Sequence, residues 1–191
     1  MSEEVFGMLC SMNRQKIELQ IILQCAPTIA GLKTSNLLIV SKEQEDSVRY
    51  VLRHSRLLGY RLVYDRHRVV FLVFNKEMLI NYLSCYEVKQ FLLDYGYNTK
   101  SFGESLRQFK DRYLAYIKNR KEFPHEMGVF LGYPLCDVKG FIDNNGDDFV
   151  YSGYWKVYDN VDEARKLFAR FDKVKDEMVR KLYLKGESCH E

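Results

Sequence analysis

The sequence predicts an α+β fold: a small, mostly antiparallel sheet packed by several helices. Three observations carry this. Segments with apolar residues at helical spacing are interspersed with short β-branched and aromatic runs. Two of those runs, 60–65 and 68–74, are separated by only a few polar residues, so they pair as a hairpin. Internal repeats, low-complexity linkers and composition breaks are absent, which favours one domain over residues 1–185 with a frayed tail over 186–191.

The elements follow in chain order. Ile17, Ile21, Ile22 and Cys25 recur at helical spacing, so residues 14–25 form a helix that Pro27 breaks. Residues 26–31 are small and suit a tight turn, with Cys25 buried at its start. A buried strand is expected at 36–40. Ser41 and Gln44 have the spacing of a capping box, and Val48, Val51, Leu52 and Leu58 line the helix that follows, ended by Gly59. After the hairpin, Ser84 with Glu87 and Ser101 with Glu104 open two more helices as capping boxes. The second carries an apolar stripe of Leu106, Phe109, Tyr113 and Tyr116 or Ile117. Asn144-Asn-Gly146 signals a turn, and residues 151–158 alternate as a last strand. Asn160 caps a final helix with Ala164, Leu167, Phe168, Phe171, Val174, Met178 and Leu182 on its core face.

Composition narrows the function classes. The 191 residues are 47% hydrophobic and 29% charged, as in ordinary globular proteins. A chain this long buries roughly 70% of its unfolded surface and needs no staples. A formal charge of +3 is too small for a nucleic-acid coat. The start, Met-Ser-Glu-Glu, is acidic and leads into no signal-type core, and the apolar run from Val69 to Phe74 is far too short to span a bilayer. The five cysteines, Cys10, Cys25, Cys85, Cys136 and Cys189, are scattered and odd in number, with no Cys-x-x-Cys. That argues against a disulfide framework and a zinc knuckle. A cytosolic, cytoplasmic protein with no membrane insertion is expected.

The most unusual stretch is 123–143. It packs three glycines, two prolines, a His-Glu pair, a Tyr, a Cys and a Lys into one short apolar frame. Cys25-Ala-Pro-Thr-Ile-Ala-Gly-Leu-Lys33, Phe123-Pro-His-Glu-Met-Gly-Val-Phe-Leu-Gly-Tyr-Pro134, Asp137-Val-Lys-Gly-Phe-Ile142 and Gly153-Tyr-Trp-Lys-Val-Tyr158 resemble the signature segments of one family. It is the uncharacterised bacterial family called domain of unknown function 3793, found mainly in anaerobic gut-type bacteria. The resemblance runs from about residue 12 to about residue 172. The family pattern often has a Cys just before Gly-Tyr-Trp-Lys, where this chain has Ser152. The resemblance implies a reducing cytosol and a single domain, and it implies no chemistry, substrate or cofactor.

The residues themselves support three readings. The first is a ligand or cofactor site. Pro124 suits the first position of a helix, which puts His125 and Glu126 beside free N–H groups. Tyr133, Lys139, Trp155 and Lys156 add cations and stacking faces if strand 151–158 lies alongside. Such a place suits an anion, a flat cofactor or a metal, in an accessory protein linked to redox or metal metabolism. The blander account makes Trp155 core and His125 surface. The second reading is a thiol enzyme with Cys25 as nucleophile and His125 as base. It leans against itself, because known catalytic motifs are missing. Metal chelation by Cys25, His125 and Cys136 lacks ligand spacing. Residues 143–148 lack the glycine position and closing Glu of a calcium loop.

The third reading is a helix-turn-helix over 124–142 that binds nucleic acid. Its would-be recognition helix shows Pro134, Leu135, Cys136, Asp137, Lys139 and Gly140 and lacks base-reading Arg, Asn and Gln. Basic residues at 107, 110, 112, 118, 120 and 121 read as a solvated helix face. Nucleic acid is therefore the weaker partner, behind a small molecule or a protein.

Overall fold

The computed structural model describes residues 2–119 and 123–187. Along the chain run α1 (Glu3–Ser11), α2 (Ile17–Ile29), β1 (Ser35–Ser41), α3 (Glu45–Arg53), β2 (Leu58–Tyr64), β3 (Arg68–Phe74), α4 (Lys76–Ser84), α5 (Tyr86–Asp94), α6 (Phe102–Asn119), α7 (Met127–Phe130), α8 (Leu135–Asp143), β4 (Tyr151–Ser152), β5 (Lys156–Val157) and α9 (Val161–Glu187). The main sheet is antiparallel with order β1-β3-β2, and β4 with β5 makes a separate small hairpin. The fold class is α+β, as predicted. No helix among the described residues is long and apolar enough to cross a membrane.

β3 is central because every residue after Arg68 can be buried on either face. Val70, Leu72 and Phe74 face one side, where they join Leu79, Phe91, Leu92, Leu106, Phe109 and Phe130. Val69, Phe71 and Val73 face the other, where they meet Ile21 and Cys25 of α2 and Val48 and Leu52 of α3. The period-two alternation of a strand thus feeds two helical layers at once. Two satellite clusters complete the packing. Val5, Leu9, Leu19 and Val179 join α1, α2 and α9, and Trp155, Val157, Ala164, Phe168 and Phe171 join the hairpin to α9. In the C-terminal half of α9 the buried residue is Val179, which the predicted core face missed.

Several predicted boundaries move, each for a physical reason. Pro27 does not end α2; the helix runs on to Ile29 with Pro27 inside it. Pro27 removes one N–H close to the helix end, and its carbonyl accepts from Leu32 and Lys33. The tight turn falls at Gly31, with φ of 70°, so Cys25 lies within the helix and not at its end. α3 stops at Arg53, well before Gly59. The Ser55 hydroxyl donates to the Leu52 carbonyl and accepts from Leu57 N–H, which diverts the backbone groups that a further turn would need. Leu58 is therefore exposed on β2 and not on a helix face. The capping box at Ser84 does not form, because Ser84 is the last residue of α4, a helix that Asn75 caps by accepting from Met78 N–H. Cys85 precedes α5 without a side-chain cap. The boxes at Ser41 and Ser101 place their caps as expected.

The predicted single strand over 151–158 is instead a hairpin, Tyr151 opposite Val157 and Ser152 opposite Lys156. It turns at Gly153, where an added Cβ would meet the Phe168 ring at 2.4 Å. α9 continues through Glu187, and the tail beyond it, with Cys189, lies outside the described residues, as do Arg120 and Lys121 of the basic face.

The segment α7–α8 is pinned to the scaffold from two sides. The Ser35 hydroxyl, at the start of β1, donates to the Phe130 carbonyl at 2.5 Å. The Tyr82 hydroxyl, on α4, donates to the Tyr133 carbonyl. Between the two helices Gly132, with φ of 70°, closes a Schellman turn in which Tyr133 N–H donates to the Gly128 carbonyl. Gly140 lets α8 touch the hairpin: a Cβ there would meet Tyr158 Cγ at 2.5 Å. Gly140→Ala is expected to cost about 1–3 kcal/mol of stability, as overpacking does. Gly7→Ala in α1, where a Cβ meets nothing within 4 Å, is expected to gain about 0.5–1 kcal/mol. Urea unfolding of the two variants checks the contrast.

Candidate functional site

Beneath this segment lies a cavity of about 210 Å³. Phe123, Met127, Gly128, Leu131, Tyr133, Val138, Phe141 and Trp155 give it apolar walls, and His125, Asp137 and Lys156 are its polar members. Met127 and Leu131, and Val138 and Phe141, share helix faces by their spacing. The cavity brings together His125, Tyr133, Trp155 and Lys156 from the predicted site. It does not include Glu126 or Lys139.

Glu126 is buried on the other side of α7. Its carboxylate accepts from the Tyr97 hydroxyl at 3.0 Å and from Arg112 at 3.3 Å. This is a structural tie between α6 and α7, and burial next to that carboxylate raises the Tyr97 hydroxyl pKa. Lys139 is exposed on α8.

Asp137 is the residue that the sequence did not mark. It is 4% exposed, and its carboxylate accepts from the Trp155 indole N–H at 2.7 Å and from the backbone N–H groups of Tyr158 at 2.8 Å and Asp159 at 3.4 Å. Its place in the first turn of α8 adds a favourable helix dipole. Trp155 so held stacks on Tyr133, with centroids 5.0 Å apart, and meets Phe168 edge to face at 4.5 Å. The signal available was an Asp inside an apolar frame, which is rarely buried without partners.

The two basic groups at the cavity are held differently. Lys156 Nζ donates to the Gly146 carbonyl at 2.5 Å and lies over the Phe149 and Phe141 rings at 4.7 and 5.7 Å. The His125 ring sits 5.5 Å from Phe123 and 5.6 Å from Phe141. Its Nδ1 is buried and has no hydrogen-bond partner among the described residues.

Cys25 and Cys136 stand apart from this place. Cys25 packs among Ile21, Leu38 and Val48, and Cys136 is exposed toward a second hollow shared with Asn160 and Glu163. Neither the Cys25–His125 pair nor the Cys25, His125 and Cys136 trio is assembled. Among the described residues no group of three His, Cys, Asp or Glu is placed to hold a metal.

Cys25 has another neighbour, Lys33. The Lys33 ammonium is 5% exposed, donates to the Ser35 carbonyl at 2.8 Å and lies 4.9 Å from the Tyr133 ring centroid. Burial lowers its pKa from 10.5 to about 7, and burial raises that of Cys25 from 9.0 to about 12, partly opposed by Lys33. Burial therefore disfavours the Cys25 thiolate, the form that reacts.

The chain belongs to the family described as Protein of unknown function (DUF3793), which matches it over residues 21–191. No curated protein and no solved structure matches it.

Two predictions follow from Cys25 and Lys33. In the native protein at neutral pH, iodoacetamide is expected to modify the exposed Cys10, Cys85 and Cys136 well before Cys25. Peptide mapping that finds Cys25 modified first would contradict its burial. The second concerns pH. Between pH 7 and 10.5 the unfolded chain binds the Lys33 proton and the folded chain does not, so stability rises with pH. Between pH 9 and 12 the folded chain keeps the Cys25 proton that the unfolded chain loses, so stability falls. The expected net effect is a gain in urea midpoint from pH 7 to pH 9 that Lys33→Met abolishes. An equal gain in the variant would show that Lys33 is not its source.

Proposed function

We propose that the protein binds a small, flat, largely apolar ligand in the cavity between α7, α8 and the β4–β5 hairpin. The observation that supports this most is the cavity itself: about 210 Å³, walled by the rings of Phe123, Tyr133, Phe141 and Trp155, with a His125 Nδ1 that has no hydrogen-bond partner among the described residues. An apolar cavity of about 150 Å³ holds benzene, so this one suits a single substituted ring. The role fits an accessory protein that carries or senses its ligand. Among the described residues no cysteine lines the cavity, so the proposal is confined to binding and does not extend to redox or metal metabolism. The free thiols of Cys10, Cys25, Cys85 and Cys136 suit a reducing cytosol.

The helix-turn-helix reading has less support. α7 has only four residues, and Asp137 and Val138 on α8 are buried against the hairpin and the core. Arg112 is engaged with Glu126 and the Tyr95 carbonyl.

Trp155 is the only tryptophan in the chain and lines the cavity, so its fluorescence reports occupancy directly. At about −0.3 kcal/mol per non-hydrogen atom, the low end for ligands, ~10 such atoms still give millimolar binding. Titration with single-ring compounds to about 10 mM is expected to give a saturable change in Trp155 emission. Leu131→Phe, which narrows the cavity from its wall, is expected to weaken that binding at least about tenfold, since a ring displaced from an apolar site forfeits more than about 1.4 kcal/mol. The absence of saturation with every ring compound would overturn the proposal.

A further inference from the structure

We infer that the cavity selects a ring bearing an anionic acceptor, a single-ring aromatic carboxylate. The inference rests on the ligand-binding reading above and adds the charge of the ligand. It comes from which polar capacity in the cavity is spent and which is left over. Among the described residues Asp137 is the only carboxylate in the lining, and both its oxygens are occupied, Oδ2 by the Trp155 indole N–H and Oδ1 by the Tyr158 and Asp159 N–H groups. It has little left for a donor on a ligand, and three N–H groups together with the first turn of α8 compensate its charge.

The unspent capacity is on the basic side. Lys156 carries three N–H donors and gives one to the Gly146 carbonyl. His125 Nδ1 is buried with no partner among the described residues, and it donates whenever that nitrogen carries the ring proton. Both groups border the same wall ring, Phe141, at 5.6 Å for the His125 ring and 5.7 Å for Lys156 Nζ. An acceptor at the edge of a ring lying over Phe141 would meet both. A carboxylate is the planar anion whose two oxygens take one donor from each side. The ring itself would pack against Tyr133, Trp155 and Leu131.

The experiment compares three probes of nearly equal size on the full chain at pH 7: benzoate, the neutral benzamide and the cationic benzylamine. Trp155 fluorescence is the readout, with saturation-transfer NMR as a second one. Benzoate is expected to bind at least about tenfold more tightly than benzamide, the scale of one charge-assisted hydrogen bond, with benzylamine weakest. In Lys156→Met benzoate binding is expected to fall by more than benzamide binding, so that the benzoate advantage narrows. If benzamide or benzylamine binds as tightly as benzoate to the unaltered protein, the charge inference is overturned and the cavity remains a binding site. If none of the three binds, the ligand-binding reading falls and takes the charge inference with it. Because the comparison of probes is made on the unaltered protein, it stands even if Lys156→Met fails to fold.

Discussion

The bond between the Asp137 carboxylate and the indole of Trp155 organises this end of the molecule. Burying an ionised carboxylate costs several kcal/mol unless donors replace its water. Here three N–H groups do so, and all three belong to the hairpin and the residues just after it. The donors are useful only while β5 lies against α8, so the carboxylate holds the hairpin in one place. Once Trp155 is fixed, its ring stacks on Tyr133 and meets Phe168 of α9 edge to face. Through that ring the long C-terminal helix is registered on the α7–α8 segment. The same ring is a wall of the cavity.

Close approach makes the arrangement possible. Gly140 sits under Tyr158 and Gly153 under Phe168, at distances where any Cβ would collide. Gly128 and Gly132 are likewise places where a Cβ would collide, with Val138 and Thr34, so the glycines that make 123–143 look like a site are in large part packing devices. The cavity arises where this tight packing stops. Leu131, Val138 and Phe141 line it, and no side chain among the described residues fills the space between them. Ser35 and Tyr82 tie the segment that lines the cavity to the main sheet and to α4.

Much of this was legible in the sequence. The alternation of β3, the hairpin with β2 and the caps at Ser41 and Ser101 were visible because they depend on neighbours within a few residues. The convergence of His125, Tyr133, Trp155 and Lys156 was also anticipated, from the concentration of unusual residues in two nearby segments. Errors arose where a local signal met a stronger one. Pro27 is tolerated because it lies near a helix end, and Ser55 stops α3 by bonding Leu52 and Leu57, a local alternative that outweighs the apolar spacing continuing to Leu58. Glu126 and Asp137 were misjudged for a shared reason. Whether an acid faces solvent or lies buried depends on donors from Tyr97, Arg112 and the hairpin, all distant in the chain.

The most direct test of this account is Asp137→Asn, which keeps the shape but supplies one acceptor oxygen where two sets of N–H donors need one each. The measurement is the near-UV circular dichroism of the single tryptophan together with urea unfolding. The account predicts retained far-UV signal, a weakened Trp155 band and a stability loss of about 1–3 kcal/mol, the cost of a buried donor left without its acceptor. An unchanged Trp155 band and an unchanged urea midpoint would contradict the claim that this carboxylate holds the hairpin and the cavity wall in place.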